Sequence, residues 1–246
     1  MPTTVKITEL FGANLAQILA DKIKPVYPLF DDKGFVKTVG GHTAGKTYTQ
    51  RIEVLADELH NFLPNDYPRA VGIVMKILGP ENPNETGMFT NFYWLMPVGK
   101  FVEKYGLDNF DISMQAIGEI TKRNTGEYAI RPYLRKYPRQ GLSQMKAWAR
   151  SDNFHLRRLA SEGLRPKLPW APKLDEFIDN PGPVFEILEI LKEEPVKFVQ
   201  KSVANHLTDY LKVNPEPTRE LLERWRKSSN PNTQWIVKRA TRKVSA

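Results

Sequence analysis

An all-α fold is predicted for this 246-residue chain by three observations. Apolar residues recur at helical spacing along most of its length, proline and glycine punctuate nearly every junction, and strand-type alternation shows only weakly, at 35–39. The periodicity places helices at about 6–24, 48–63, 67–78, 89–105, 109–122, 125–138, 140–151, 153–162, 182–193, 195–212, 216–228 and 231–243. These helices fall into pairs. Three second-of-pair segments share a shape: Arg157-Arg158-Leu159-Ala160, Lys201-Ser202-Val203-Ala204 and Lys238-Arg239-Ala240. The spacings, 44 residues from Arg157 to Lys201 and 37 from Lys201 to Lys238, bracket the period of two-helix solenoid repeats. In such an array the inner helices line a concave surface, here a basic one. A plain helical bundle with basic faces is the alternative.

Composition sets the outer bounds. With 41% hydrophobic and 26% charged residues the chain can bury a core and is not disordered. It has no apolar run long enough to span a bilayer and no secretory signal series, so a cytoplasmic location with no membrane partner is expected. Zero cysteines exclude disulfides, thiolate metal sites and cysteine nucleophiles, and the four histidines, His42, His60, His155 and His206, are too scattered for a zinc set. Neither a metal nor a cofactor is expected.

In chain order, the first informative segment is Gly40-Gly41-His42-Thr43-Ala44-Gly45-Lys46-Thr47, which satisfies the phosphate-loop pattern. A nucleotide hydrolase would also need a parallel sheet and a later apolar strand ending in a magnesium-binding Asp, and neither is evident. The segment therefore reads as a flexible connection between the first two helices. Further on, Glu127 lies three residues after Asn124, the spacing of a capping box at a helix start.

From Arg131 to Trp170 the chain carries ten Lys/Arg against two acids, a net +8 that equals the formal charge of the whole protein. A cationic stretch this concentrated is the footprint of a surface that meets phosphates. Asp152 can cap the helix at 153–162, and Gly163 with Pro166 beyond supplies its stop signals. Glu162, the acid left in the last turn, faces the negative end of the helix dipole, a cost of a few tenths of a kcal/mol that stability alone would avoid. It is either a solvated residue neutralised by Arg158 or Arg165, or a carboxylate kept for chemistry. The span 171–195 then carries seven acids and two lysines, an outward solvated face. Asp209 can pair with Lys212 at i,i+3.

Two kinds of residue string narrow the reading. The string Ser161-Glu162-Gly163-Leu164-Arg165-Pro166-Lys167-Leu168-Pro169-Trp170 is specific, and it is accompanied by Gly126-Glu127-Tyr128-Ala129-Ile130-Arg131-Pro132, by 201–209 and by Trp235-Ile236-Val237-Lys238. Together they resemble the bacterial alkylpurine DNA glycosylases built from HEAT-like repeats, and within them the AlkC branch, over about residues 85–243. The resemblance implies a single domain, 1–246, in which the helices to residue 85 are less typical and the repeats of 86–246 match best. It implies a monofunctional hydrolase, acting without cofactor, that excises cationic N-alkylated purines, chiefly 3-methyladenine, from double-stranded DNA, and that captures the lesion without full base extrusion. Carried over by position, Glu127, Glu162 and Asp209 are the acids facing the sugar. Arg131, Arg157, Arg158, Arg165, Trp170, Lys201, Lys238 and Arg239 are expected to hold DNA, as a monomer. Many relatives carry an immunoglobulin-like domain after the repeats. The chain here stops at Ala246, and contacts from such a domain are expected to be missing.

A non-catalytic nucleic-acid-binding scaffold using the same basic face is the competing class. A phosphate-loop hydrolase built on 40–47 is the third.

Overall fold

Short polar residues and prolines decide where the helices start. The computed structural model describes residues 6–86 and 89–242, and among them it holds fifteen α-helices, two short 3-10 turns and no strand. Contacts within the chain divide it into two units, the described parts of which are 6–82 with 89–124, and 83–86 with 125–242. The boundary falls near residue 124.

The first unit comprises α1 (Ala13–Ile23), α2 (Asp32–Thr43), α3 (Tyr48–Phe62), α4 (Tyr67–Lys76), α5 (Phe89–Phe92), α6 (Met96–Tyr105) and α7 (Phe110–Thr121). α1 packs on α2, α2 on α3, and α3 on α6, around Leu15, Leu19, Phe30, Phe35, Leu55, Leu59 and Phe101. Burying each such side chain is worth about 1.5–3 kcal/mol.

Two expectations fail in this unit. The weak strand signal at 35–39 belongs to α2, where Phe35 and Val39, one turn apart, are both buried. Asp31 starts that helix by accepting a hydrogen bond from the Gly34 amide at 2.9 Å, which outweighs the poor helix propensity of three glycines. The segment 40–47, expected to be wholly a connection between helices, is the second. Gly40–Thr43 is the last turn of α2, and Thr43 Oγ1 donates to the Val39 carbonyl at 2.7 Å. Only 44–47 form a connection, Gly45 turning it at φ +69° and Thr47 closing a capping box with Gln50. No strand precedes the segment and its first amides are spent inside a helix, so no phosphate cradle exists here.

The second unit comprises α8 (Arg131–Lys136), α9 (Pro138–Trp148), α10 (Phe154–Glu162), α11 (Asp175–Asp179), α12 (Gly182–Ile190), α13 (Lys197–Val213), α14 (Pro215–Arg226) and α15 (Pro231–Thr241). Proline occupies one of the first two positions of α8, α9, α12, α14 and α15, where its missing amide costs nothing. Asn153, not Asp152, caps α10, accepting from the His155 amide at 2.9 Å.

The repeat pattern has a structural counterpart. α10 packs on α13 and α13 on α15, so the three segments with the shared shape lie side by side, and Ala160, Ala204 and Ala240 are all fully buried. α9 backs α10, and α14 packs on both α13 and α15. The expected helix at 125–138 is interrupted. Residues 127–130 form a turn, α8 follows, and Tyr137 separates it from α9.

Candidate active site

Glu162 sits at the last residue of α10, 6% exposed, where a charge needs partners. Its Oε1 accepts from Arg165 Nη1 at 2.6 Å and lies 3.7 Å from Arg158 Nη2, while its Oε2 accepts from the Ser202 hydroxyl at 2.6 Å. Burial pushes its carboxyl up, but the Arg158 and Arg165 guanidiniums and the Ser202 hydroxyl outweigh burial and hold it below the ordinary 4.5. Glu162 is therefore ionised inside the protein. The solvated-glutamate alternative falls.

Both arginines reach a second acid. Arg158 Nη1 donates to Glu127 Oε2 at 3.0 Å and to Thr125 Oγ1 at 3.1 Å, and its guanidinium lies 4.8 Å from the centre of the Phe198 ring. Arg165 donates to Asp209 Oδ2 through Nη2 at 2.6 Å and through Nε at 2.8 Å. The order in space is Glu127, Arg158, Glu162, Arg165, Asp209, three carboxylates alternating with two guanidiniums. The ladder carries a net charge of −1 in a basic protein. Burial lowers the pKa of both arginines, and the neighbouring carboxylates more than reverse it, so each ends above its ordinary value.

The structure thus brings together all three acids that sequence comparison singled out, from a turn (Glu127), the end of α10 (Glu162) and the last third of α13 (Asp209). Asp209 pairs with Arg165, and Glu127 begins no helix. Gly163 makes the convergence possible. A Cβ there would come within 2.8 Å of Ile130 Cγ2 and Met145 Cε, so any side chain at 163 would have to displace both for the chain leaving α10 to turn this close to the Glu127 segment.

The expected DNA-binding arginines divide. Arg131 is a correction: it is 2% exposed, and its Nη atoms donate to the carbonyls of Gly163 (3.2 Å), Arg165 (2.7 Å) and Pro172 (2.6 Å), with a longer 3.5 Å contact to Pro166. With its donors turned inward it can hold no phosphate. Burial pulls its pKa down to about 10, still charged at neutral pH, with carbonyl dipoles facing the charge. Arg157 is a second correction. It grips Glu194 with two bonds of 2.7 and 2.9 Å and gives the remaining nitrogen to the Ser151 and Asp152 carbonyls, both at 2.9 Å. Arg158 and Arg165 hold carboxylates, as above. Much of the charge that marked 131–170 as a phosphate surface is thus neutralised within the protein.

Trp170, Lys201 and Lys238 are exposed, and Arg239 is half-buried, its guanidinium 5.5 Å from the Trp235 ring centre. Trp170 is 85% exposed, which excludes a core role. Its backbone φ is +59°, the left-handed region that a bulky residue rarely enters. The loop that Arg131 grips from within carries it.

Four neighbours were not singled out as site residues in the sequence. Ser202 lies beside the basic residue that the repeat pattern marked. The Tyr128 hydroxyl is raised in pKa by burial first and then by Glu127 and Glu162, so it remains a proton donor next to them. Thr125 holds Arg158. His206, fully buried and stacked on Tyr210 at 5.3 Å, has Nδ1 3.4 Å from Ser161 Oγ. Burial, then Arg165, depresses its pKa to about 3, so it stays neutral. Arginines interleave the carboxylates, and among the described residues no group of three or more His, Cys, Asp or Glu could hold a metal ion. No helix among them is long and apolar enough to cross a membrane.

Comparison with known proteins defines the class. Residues 124–244, which include most of the second unit, match the family described as DNA alkylation repair enzyme. That match covers just under half of the chain, whose fold is the all-α HEAT-like repeat. Among solved structures it is similar to the Pseudomonas fluorescens alkylpurine DNA glycosylase AlkC bound to DNA containing an abasic site analog, with 34% identity and a TM-score of 0.88 over 99% of this chain and 66% of that one. Among curated proteins it is 32% identical to YhaZ of Bacillus subtilis (strain 168) over 96% of this chain and 64% of that protein. The chain spans about two thirds of the length of both.

Proposed function

We propose that this protein is a DNA glycosylase that hydrolyses the N-glycosidic bond of purines made cationic by N-alkylation, 3-methyladenine foremost. The observation that carries the reading is Glu162, a carboxylate kept ionised in a nearly closed position, with Glu127 and Asp209 at either end of the arginines that hold it. The family match over 124–244 and the similarity to an alkylpurine glycosylase support it.

The chemistry suits the charges. A cationic alkylpurine leaves C1′ with the bonding pair as a neutral base, so it needs no acid to protonate it, and positive charge builds on the sugar instead. A site with net charge −1 stabilises that charge in surroundings where water screens weakly. Water then adds at C1′ and its proton passes to a carboxylate, as in hydrolysis of other glycosides. Arg158 and Arg165 fix the carboxylates in position and keep Glu162 ionised. They are holders of the acids, and the DNA backbone is left to Lys201, Lys238, Arg239 and the exposed Trp170. That partner is duplex DNA containing the alkylated base.

Base release from N-methylated duplex DNA, read by chromatography of the free bases, tests this. The parent protein releases 3-methyladenine, and Glu162→Gln lowers the rate by about 10²–10³-fold while DNA binding stays within a few-fold. DNA binding without any base release by the parent protein would overturn the reading in favour of a binding scaffold.

A further inference from the structure

We propose that a polar cavity beside the end of the carboxylate ladder, sharing Arg165 and Asp209 with it, seats one phosphodiester of the DNA backbone. The cavity measures about 270 Å³ and is lined by Arg165, Asn205, Asp209, Lys212, Arg239 and Arg242, together with Thr208. It lies wholly within the second unit, between α13 and the end of α15.

Charge identifies the occupant. Arg165 is already bonded to Glu162 and Asp209. Among the described residues no carboxylate pairs with Lys212, Arg239 or Arg242, so three cations face the cavity unbalanced while its one acid is occupied. No aromatic ring lines the cavity, so it offers a base nothing to stack on. Cations at a polar wall with a side-chain amide suit a tetrahedral anion. The space is several times the roughly 30 Å³ share of one water, enough for a phosphate and part of its hydration.

Arg239 is held ready for the anion. Its guanidinium lies 5.5 Å from the Trp235 ring centre while Lys197 Nζ sits 3.7 Å from the same centre, so the ring carries two cations. Its Nε is buried without a partner inside the protein. The like charge of Lys197 makes an anion on the open side of Arg239 more favourable still.

Position then selects which phosphate. If the ladder faces the damaged sugar, a group one shared arginine away from Glu162 meets a phosphate within a nucleotide of that sugar. This choice of phosphate rests on the glycosylase reading, whereas the existence of the seat does not. Occupied, the seat would screen Asp209 from the approaching backbone and hold the strand in register with the acids.

The test is a scan with duplexes containing an abasic-site analogue, in which one phosphate at a time is replaced by an uncharged methylphosphonate. In the parent protein one position, or two adjacent ones, weakens binding about tenfold, the worth of one charge-assisted contact. In Lys212→Ala with Arg239→Gln the same replacement costs less than twofold, and the slope of log K against log salt is less steep by about 0.9. The fold of the double variant is checked by its helical circular dichroism. A parent scan with no sensitive position, or one equally sensitive in parent and variant, overturns the seat. Weakening by millimolar inorganic phosphate of parent and variant alike also overturns it. The two readings separate cleanly: base release without a sensitive phosphate removes the seat alone, and a sensitive phosphate without base release removes the glycosylase alone.

Discussion

His206 makes the second unit sensitive to acid between the pKa it has when folded and the one it has when unfolded. The imidazole is fully buried on α13, stacked on Tyr210, and burial with the Arg165 charge lowers its pKa from 6.5 to about 3. In the unfolded chain the same group titrates at its ordinary value. Between these two pH values the unfolded state holds a proton that the folded state refuses, so stability is complete above 6.5 and is lost as pH falls toward 3. From pH 7.5 to pH 5 the loss is about 2 kcal/mol, from 1.36 kcal/mol per pH unit over the interval below 6.5. Glu162 does not confuse the result, because its ordinary value of 4.5 lies below this window and its own contribution is lost only at lower pH. Urea unfolding followed by tryptophan fluorescence reports on this unit, which contains Trp148, Trp170, Trp225 and Trp235. His206→Phe keeps the stacked ring and removes the titration, so the parent should lose about 2 kcal/mol more than the variant over the same interval. Stability curves that run parallel in parent and variant would refute the argument.

Three further outcomes follow from the site. Trp170→Gly relieves a left-handed backbone at an exposed position, so it should raise unfolding stability by about 1 kcal/mol while weakening DNA binding, both measured on the same preparation. Arg131→Met removes the donors that hold the 163–172 carbonyls, and limited proteolysis should then cut within 166–173, where the parent resists. Ser202→Ala takes a hydrogen bond from Glu162 Oε2, so the acidic limb of the base-release profile should move to higher pH; an unmoved limb would show that the arginines alone hold the carboxylate ionised.

The helical class, the row of second-of-pair helices and the meeting of three acids were legible in the sequence, for different reasons. Periodicity reports burial, so it located α10, α13 and α15 well. It missed α2, because Gly34, Gly40 and Gly41 suppress the signal while the Asp31 cap and buried Phe35 and Val39 override it. The acids came through resemblance, since nothing in their spacing requires a turn residue at 127 and helix residues at 162 and 209 to meet. Charge counting misled in one respect. Ten cations in forty residues suggested a phosphate surface, yet Arg131, Arg157, Arg158 and Arg165 are spent on carbonyls and carboxylates, partners that a linear count cannot see. Ser202 and His206 were invisible for the same reason.

Arg131 reaches the segment after α10 only through main-chain oxygens, at Gly163, Arg165 and Pro172. Every amino acid supplies that oxygen, so the path of the strap is indifferent to the side chains it displays. Residues 167 and 170 can therefore be exchanged for others, altering what the protein touches at that rim, while the strap itself keeps its course.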